Sequence, residues 1–337
     1  MHDSVSDLGR RIGAIDIRTL ACFPRVVVDP ILAPPAEREL IDSGEGVTPS
    51  SVSANRAAAG LQLPLLPDLA IPAARPFLKW AGGKQQLLSK LISKCPSSFN
   101  AYYEPFLGSG ALFFALAPRR AVLSDANEEL IVTFQAVRDQ VHEVIRHLRR
   151  HRNGKEHFLA VRRQNPLTMS APGRAARLIF LNRTCYNGLY RVNQSGQFNT
   201  PFGRYKRPNI CNRAALQQAS VSLGGAEILA LDFRAALERP TSGDFVYLDP
   251  PYVPVGRYSD FKRYHKEFFS LDEHRALAVA FAELHERGCH LMLSNSYCEI
   301  TLKLFDRWNI EVVHARRLIN KNSNGRSPIR EILVTNY

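Results

Sequence analysis

The sequence predicts an α/β fold: an open sheet flanked by helices and interrupted by an inserted, mostly helical region. Three observations carry this expectation. Tyr102-Tyr103-Glu104-Pro105-Phe106-Leu107-Gly108-Ser109-Gly110, followed by Ala111–Ala117, reads as a short strand, a glycine turn and a helix. Such a turn aims backbone N–H groups and a helix N-terminus at a ligand. Phe245-Val246-Tyr247-Leu248 reads as a second strand and ends in Asp249-Pro250-Pro251-Tyr252. A carboxylate, two prolines and an aromatic ring therefore sit at a strand tip, where open α/β sheets bind ligands. Between these blocks lies a basic segment rich in Asn, Arg, Tyr and Gly, punctuated like loops or a hairpin.

The elements follow in chain order. Residues 1–75 hold eight prolines, many Ala and Ser, and no persistent periodicity, so this segment is expected to be a disordered extension. The folded core is expected to begin at 76, with a first part over 76–149. Phe77-Leu78-Lys79-Trp80-Ala81-Gly82-Gly83-Lys84 offers paired glycines for close backbone approach, two lysines and a stacking face. It is equally readable as a basic loop ahead of a helix over Gln85–Lys94. The glycine turn at Gly108 and Gly110 lacks the third glycine of a dinucleotide fingerprint, which disfavours a nicotinamide-dependent dehydrogenase. The strand Ala121-Val122-Leu123-Ser124 ends at Asp125, a carboxylate placed for ribose hydroxyls. Ile131, Phe134, Val141, Ile145 and Leu148 recur at helical spacing and predict one helix over Glu128–Leu148.

Residues 150–215 read as the insert, with a helix over Arg174–Leu181 before the Asn-Gly, Ser-Gly and Phe-Gly punctuation. The core resumes over 216–337. A strand over Glu227–Leu231 ends at Asp232-Phe233. The loop from Val253 to Phe269 carries Arg257, Lys262, Arg263, Tyr264, His265 and Lys266. Ser270-x-x-Glu273 reads as a capping box for a helix ending at Gly288. Cys289–Ser294 reads as a buried strand. Glu311–Ile319 and Arg330–Val334 predict a closing antiparallel pair joined by 320–328.

Charge sharpens the division. The chain has 44 Lys and Arg against 31 Asp and Glu, a net charge of +13. Residues 1–75 contribute 7 basic and 9 acidic side chains, so the remainder is more basic still. Over 146–214 there are 15 basic residues and one acidic residue, Glu156. A basic stretch coinciding with Asn, Arg, Tyr and Gly favours a polyanion such as DNA over a merely solvated face. Six scattered cysteines without a Cys-x-x-Cys pair argue against a zinc site and a disulfide scaffold. No apolar run reaches membrane-spanning length. The first residues lack a basic n-region, so no signal peptide is expected and the cytoplasm is the expected compartment.

The tetrad suits a flat ring that bears an amine. The Asp249 carboxylate and the Pro250 carbonyl accept hydrogen bonds from an exocyclic NH2. Prolines lack an N–H and fix φ, so they keep those acceptors aimed. Tyr252 offers a face for stacking. An adenine extruded from a duplex fits this description.

With these blocks in this order, the chain from about Pro76 onward closely resembles the Dam-type, Asp-Pro-Pro-Tyr (D12) class of DNA N6-adenine methyltransferases. The recognition segment Leu181-Asn182-Arg183-Thr184-Cys185-Tyr186-Asn187-Gly188-Leu189-Tyr190-Arg191 is the part most specific to that family. The resemblance implies a Rossmann-like, S-adenosylmethionine-dependent core with residues 150–215 as a DNA target-recognition domain. It implies direct methyl transfer to the N6 amine of an extruded adenine in double-stranded DNA, without a metal. Asp249, Pro250 and Tyr252 would be catalytic. Trp80, Lys84, Phe106, Gly108, Gly110, Asp125, Asp232, Phe233 and Asp249 would hold S-adenosylmethionine. Lys79, Tyr186, Asn187, Leu189, Arg191, Pro201, Arg204 and Tyr205 would contact DNA, with Tyr186 inserted into the stack. The loop after the tetrad would close over the base.

Lys79, Leu189, Arg191, Pro201 and Tyr205 match the pattern of members that modify GATC. Restriction–modification relatives share the catalytic blocks and read other sites, so that alternative, with a partner endonuclease, stays open. A non-catalytic DNA binder on the same fold stays open too, although the tetrad and cofactor loops are intact. A cytosine C5 enzyme would need a Pro-Cys nucleophile, and Cys95-Pro96 has the reverse order. Protein-amide modifiers carry Asn-Pro-Pro-Tyr at this place. RNA adenine enzymes are not expected to carry the Asn-Gly-Leu-Tyr-Arg block. A monomer acting on one strand at a time is expected.

Overall fold

The computed structural model describes residues 74–80, 82–253, 269–315 and 329–337. The expectations for 1–73, for most of the loop after the tetrad and for 316–328 lie outside the described residues. Strands β1 (Tyr102–Glu104), β2 (Ala121–Asp125), β3 (Ala226–Ala230), β4 (Phe245–Leu248), β5 (His290–Ser296), β6 (Asn309–Ala315) and β7 (Ile329–Thr335) form a seven-stranded sheet. Its order is β3-β2-β1-β4-β5-β7-β6. The first five are parallel, and β7 runs antiparallel between β5 and β6. This is the expected α/β, Rossmann-like architecture. The chain builds outward from β1 to β3, then returns to the other side of β1 to lay down β4. The β1/β4 junction is therefore the topological switch point, where open α/β sheets bind ligands.

Both faces of the sheet are covered. Phe245 and Tyr247 of β4 point into one core with Phe114, Phe134 and Phe180. Val246 and Leu248 point into the other with Phe281, Leu284 and Phe305. Every residue of β4 is buried, which is why the strand reads as a continuous apolar run rather than an alternating one.

The helices α1 (Leu88–Lys94), α2 (Ala111–Leu116), α3 (Glu128–Asp139), α4 (Val141–Leu148), α5 (Lys155–Arg163), α6 (Ala171–Thr184), α7 (Arg213–Leu223), α8 (Phe233–Leu237), α9 (Leu271–Glu286) and α10 (Glu299–Leu304) complete the described fold. Asn127 caps α3 through its side chain, with Glu128 and Glu129 in the first turn, satisfying an orphan N–H and opposing the helix dipole. The capping box at Ser270 and Glu273 forms as expected, and α9 ends ahead of Gly288 at φ 80°.

Three expectations change, the first being that the helix over Arg174–Leu181 extends to Ala171–Thr184. The helix over Glu128–Leu148 is two helices, broken where Gln140 leaves helical backbone at φ −137°, ψ 38°. The helix expected over Gln85–Lys94 starts as a 3₁₀ turn at Lys84–Gln86 and becomes α-helical at Leu88. Among the described residues no helix is long and apolar enough to cross a membrane.

Candidate active site at the sheet switch point

Asp249 and Tyr252 follow β4 directly, and Lys84 lies across from them. Lys84 is 7% exposed. Its Nζ donates to the Gly82 carbonyl at 2.8 Å and lies 2.8 Å from Asp249 Oδ1. It also sits 4.6 Å from the centroid of the Tyr252 ring. Asp249 Oδ1 is buried, and the Lys84 contact is an ion pair outside directed hydrogen-bond geometry. Burial pushes the Asp249 carboxyl above the usual carboxylate range, and the Lys84 ammonium opposes that push. A carboxylate oxygen is an acceptor of the kind an approaching amine requires.

Val253 is held at both ends of its peptide. Its N–H donates to Asn295 Oδ1 at 3.2 Å, and its carbonyl accepts from Ser296 Oγ at 2.7 Å. The tip of β5 thus fixes the far end of the tetrad.

The glycine turn after β1 forms the other wall. Gly108 has φ 48° and Gly110 φ 65°, backbone that an L side chain adopts only with strain. A Cβ on Gly108 would lie 3.0 Å from Trp80 Cδ1. The Trp80 ring therefore packs on bare backbone, and it stacks with Tyr190 at 5.5 Å. Asp125, at the end of β2, accepts from Gly108 N at 3.1 Å and from Asn127 N at 2.9 Å. These bonds pin the turn, and burial raises the Asp125 carboxyl.

Phe106 stacks on Phe233 at 5.5 Å, and Phe269 closes on both rings. Asp232 caps α8 through Arg234 N at 3.0 Å and stays exposed. Phe106, Gly108, Gly110, Asp125, Asp232, Phe233 and Asp249 thus lie at or just after the ends of β1 to β4, and Trp80 and Lys84 lie on the segment ahead of α1. They present donors, acceptors and ring faces of the kind that a nucleoside-bearing amino acid needs.

A second surface joins this one through α6. Asn182, 1% exposed, accepts from Lys79 N at 2.8 Å and donates to the Lys79 and Gly188 carbonyls at 2.6 and 2.9 Å. Lys79 Nζ lies 4.9 Å from the centroid of Tyr205. Tyr205 Oη accepts from Asn187 N at 3.0 Å. Asn187 takes φ 55° and Gly188 φ 66°, so the turn after α6 is sharp. Tyr186 N donates to the Pro201 carbonyl at 2.8 Å, and Arg191 Nε donates to Asn199 Oδ1 at 2.6 Å. Thr200 Oγ1 donates to the Leu189 carbonyl at 2.8 Å, and Arg204 takes φ 55°. Tyr186, Arg191, Pro201 and Arg204 are exposed, and Asn187, Leu189 and Tyr205 are half-buried. All eight residues expected to touch DNA lie on the segments wired together here.

The profile of the D12 class N6 adenine-specific DNA methyltransferases matches residues 80–319, more than half of the chain. The chain belongs to that family. This methyltransferase is 41% identical over 271 residues to the Type II methyltransferase M1.LlaDCHI of Lactococcus lactis subsp. cremoris, covering 78% of this chain and 95% of that protein. It is 39% identical over 286 residues to the Type II methyltransferase M.MjaIII of Methanocaldococcus jannaschii, covering 78% and 99%. It is 33% identical over 265 residues to the DNA adenine methylase of Serratia marcescens, covering 77% and 97%.

Several residues at the methyltransferase site carry no motif signal. Phe269, Asn295 and Glu331 reach it only through the fold. Glu104 is 3% exposed and accepts from Tyr102 Oη at 2.9 Å, and burial pushes its carboxyl up to about 8. It stands in the same motif as the glycine turn, two residues ahead of Phe106.

Proposed function

We propose that this DNA adenine methyltransferase uses S-adenosylmethionine to methylate N6 of an adenine extruded from double-stranded DNA, within GATC. The observation that carries the reading is the Asp249 carboxylate at the switch point, with one oxygen buried and 2.8 Å from the Lys84 ammonium. Bound S-adenosylmethionine would supply a methyl group made electrophilic by its sulfonium. Trp80, Lys84, Phe106, Gly108, Gly110, Asp125, Asp232 and Phe233 would hold it, together with Asp249.

The adenine amine is a weak nucleophile because its lone pair is delocalised into the ring. Asp249 and the Pro250 carbonyl accept hydrogen bonds from it, draw the nitrogen toward tetrahedral geometry and stabilise the positive charge that develops there. The two prolines keep both acceptors aimed, and Tyr252 stacks on the ring, so orientation is set before reaction. No histidine of the site is assigned as a base, and the spare proton leaves to solvent.

Lys79, Leu189, Arg191, Pro201 and Tyr205 would read the bases. Tyr186 would fill the stack, Asn187 would meet the extruded base, and Arg204 would contact a phosphate or a base. Residues 150–215 act as the recognition domain within a core made of 76–149 and 216–337. The enzyme acts as a monomer in the cytoplasm.

A second reading is favoured by the Type II methyltransferases among its relatives, which exceed the DNA adenine methylase in identity. The enzyme would then protect a restriction site other than GATC against a partner endonuclease. Purified enzyme, labelled S-adenosylmethionine and duplex oligonucleotides with one GATC or one altered base decide between them. Label in N6-methyladenine only with GATC supports the first reading. Equal labelling of altered duplexes overturns it.

A further inference from the structure

Tyr252 is tethered at the end of its ring farthest from the backbone. Its Oη donates to Glu331 Oε2 at 2.7 Å. Glu331 comes from β7, opposite Ser296 of β5 and Val313 of β6. It lies far from the tetrad in sequence, outside each of the motif blocks. The Lys84 ammonium covers one face of the same ring at 4.6 Å from its centroid. With the hydroxyl bound and one face under Lys84, any stacking on a base falls to the opposite face.

We propose that Glu331 is a positioning residue for methyl transfer, holding the Tyr252 ring so that its free face meets the extruded adenine. The inference rests on the proposed reading of Tyr252 as the ring that stacks on the base. A tyrosine swings about two torsions, and a bond at its hydroxyl removes most of that swing. Stacking on a fixed ring orders less at the moment of reaction. The acceptor is a carboxylate, so the bond is charge-assisted. It polarises the phenol and makes the ring face more negative, which favours the Lys84 ammonium and the positive charge developing on N6.

A double-mutant cycle on the full-length enzyme tests this. The variants are Tyr252→Phe, Glu331→Ala, the pair, and Glu331→Gln, which keeps shape and an acceptor. The readouts are kcat, the KM for S-adenosylmethionine, and the fluorescence of 2-aminopurine at the target position, which stacking quenches. Tyr252→Phe and Glu331→Ala should each lower kcat on the order of tenfold. The pair should be no worse than either single change, because both remove one bond. The KM for S-adenosylmethionine should hold, Glu331→Gln should lose less than Glu331→Ala, and 2-aminopurine should brighten in Glu331→Ala. Multiplying losses in the pair, or an undiminished kcat in Glu331→Ala, would overturn the role of Glu331 while the parent enzyme remains active. A parent enzyme that leaves adenine unmethylated would overturn this inference together with the reading beneath it.

Discussion

A carboxylate buried beside a lysine has its charged form stabilised by that lysine. Desolvation already pushes the Asp249 carboxyl up, and Lys84 is the main influence holding it down. Lys84→Met therefore raises the Asp249 pKa further, and the acid limb of the pH–rate profile moves to higher pH. Single-turnover rates across pH check this, and an unmoved limb would show that Lys84 does not set the charge of Asp249.

Glu104, likewise raised by burial, links pH to stability. Its folded pKa of about 8 lies above the ordinary 4.5. Between those values the native state holds a proton that the unfolded state has released, so stability falls as pH rises through that window. Melting temperature in Glu104→Gln, which mimics the protonated form, should fall less steeply between the two values than in the parent. At this scale Asp249, Pro250 and Tyr252 were legible because their chemistry is contiguous in sequence. Glu331 and Asn295 were not, because their roles arise only when β7 and β5 come alongside β4.

Among elements, α6 joins the two halves of the site. Its Asn182 makes three hydrogen bonds to the backbone of Lys79 and Gly188, and a Cβ on Gly188 would lie 2.6 Å from that of Lys79. Asn182→Ala leaves those groups unsatisfied in a buried place and should destabilise by about 2–3 kcal/mol. It should also weaken DNA binding more than cofactor binding, as read by thermal melts and separate titrations. Equal weakening of both would contradict the joining role.

The expected strands match the sheet to within a few residues, because buried apolar runs bounded by turn residues mark strands. The break at Gln140 was not legible. Ile131, Phe134, Val141, Ile145 and Leu148 keep helical spacing across it, and neither glycine nor proline marks it. The helix α6 also extends beyond the expected Arg174–Leu181 at both ends. Its span Ala171–Thr184 is buried almost all round, so it lacks the polar face that marks where an amphipathic helix begins and ends.

For the whole molecule, the sheet order puts two sequence-distant motifs on either side of one switch point. The basic segment 146–214, with 15 basic residues to one acidic, predicts a DNA affinity that falls steeply with salt. The logarithm of the binding constant should decline linearly with the logarithm of salt concentration, with a slope of about −0.9 per phosphate neutralised. A flat dependence would contradict the assignment of phosphate contacts to that segment.

The central claim is that Asp249 directs methyl transfer to adenine N6 at one DNA site. Single-molecule modification sequencing of DNA from a methylation-deficient bacterial host expressing this protein tests it most directly, with Asp249→Ala as control. N6-methyladenine confined to GATC, and absent with the variant, is the result the account predicts. Adenine methylation that persists in Asp249→Ala, or no mark at all from soluble parent protein that binds S-adenosylmethionine, would contradict it.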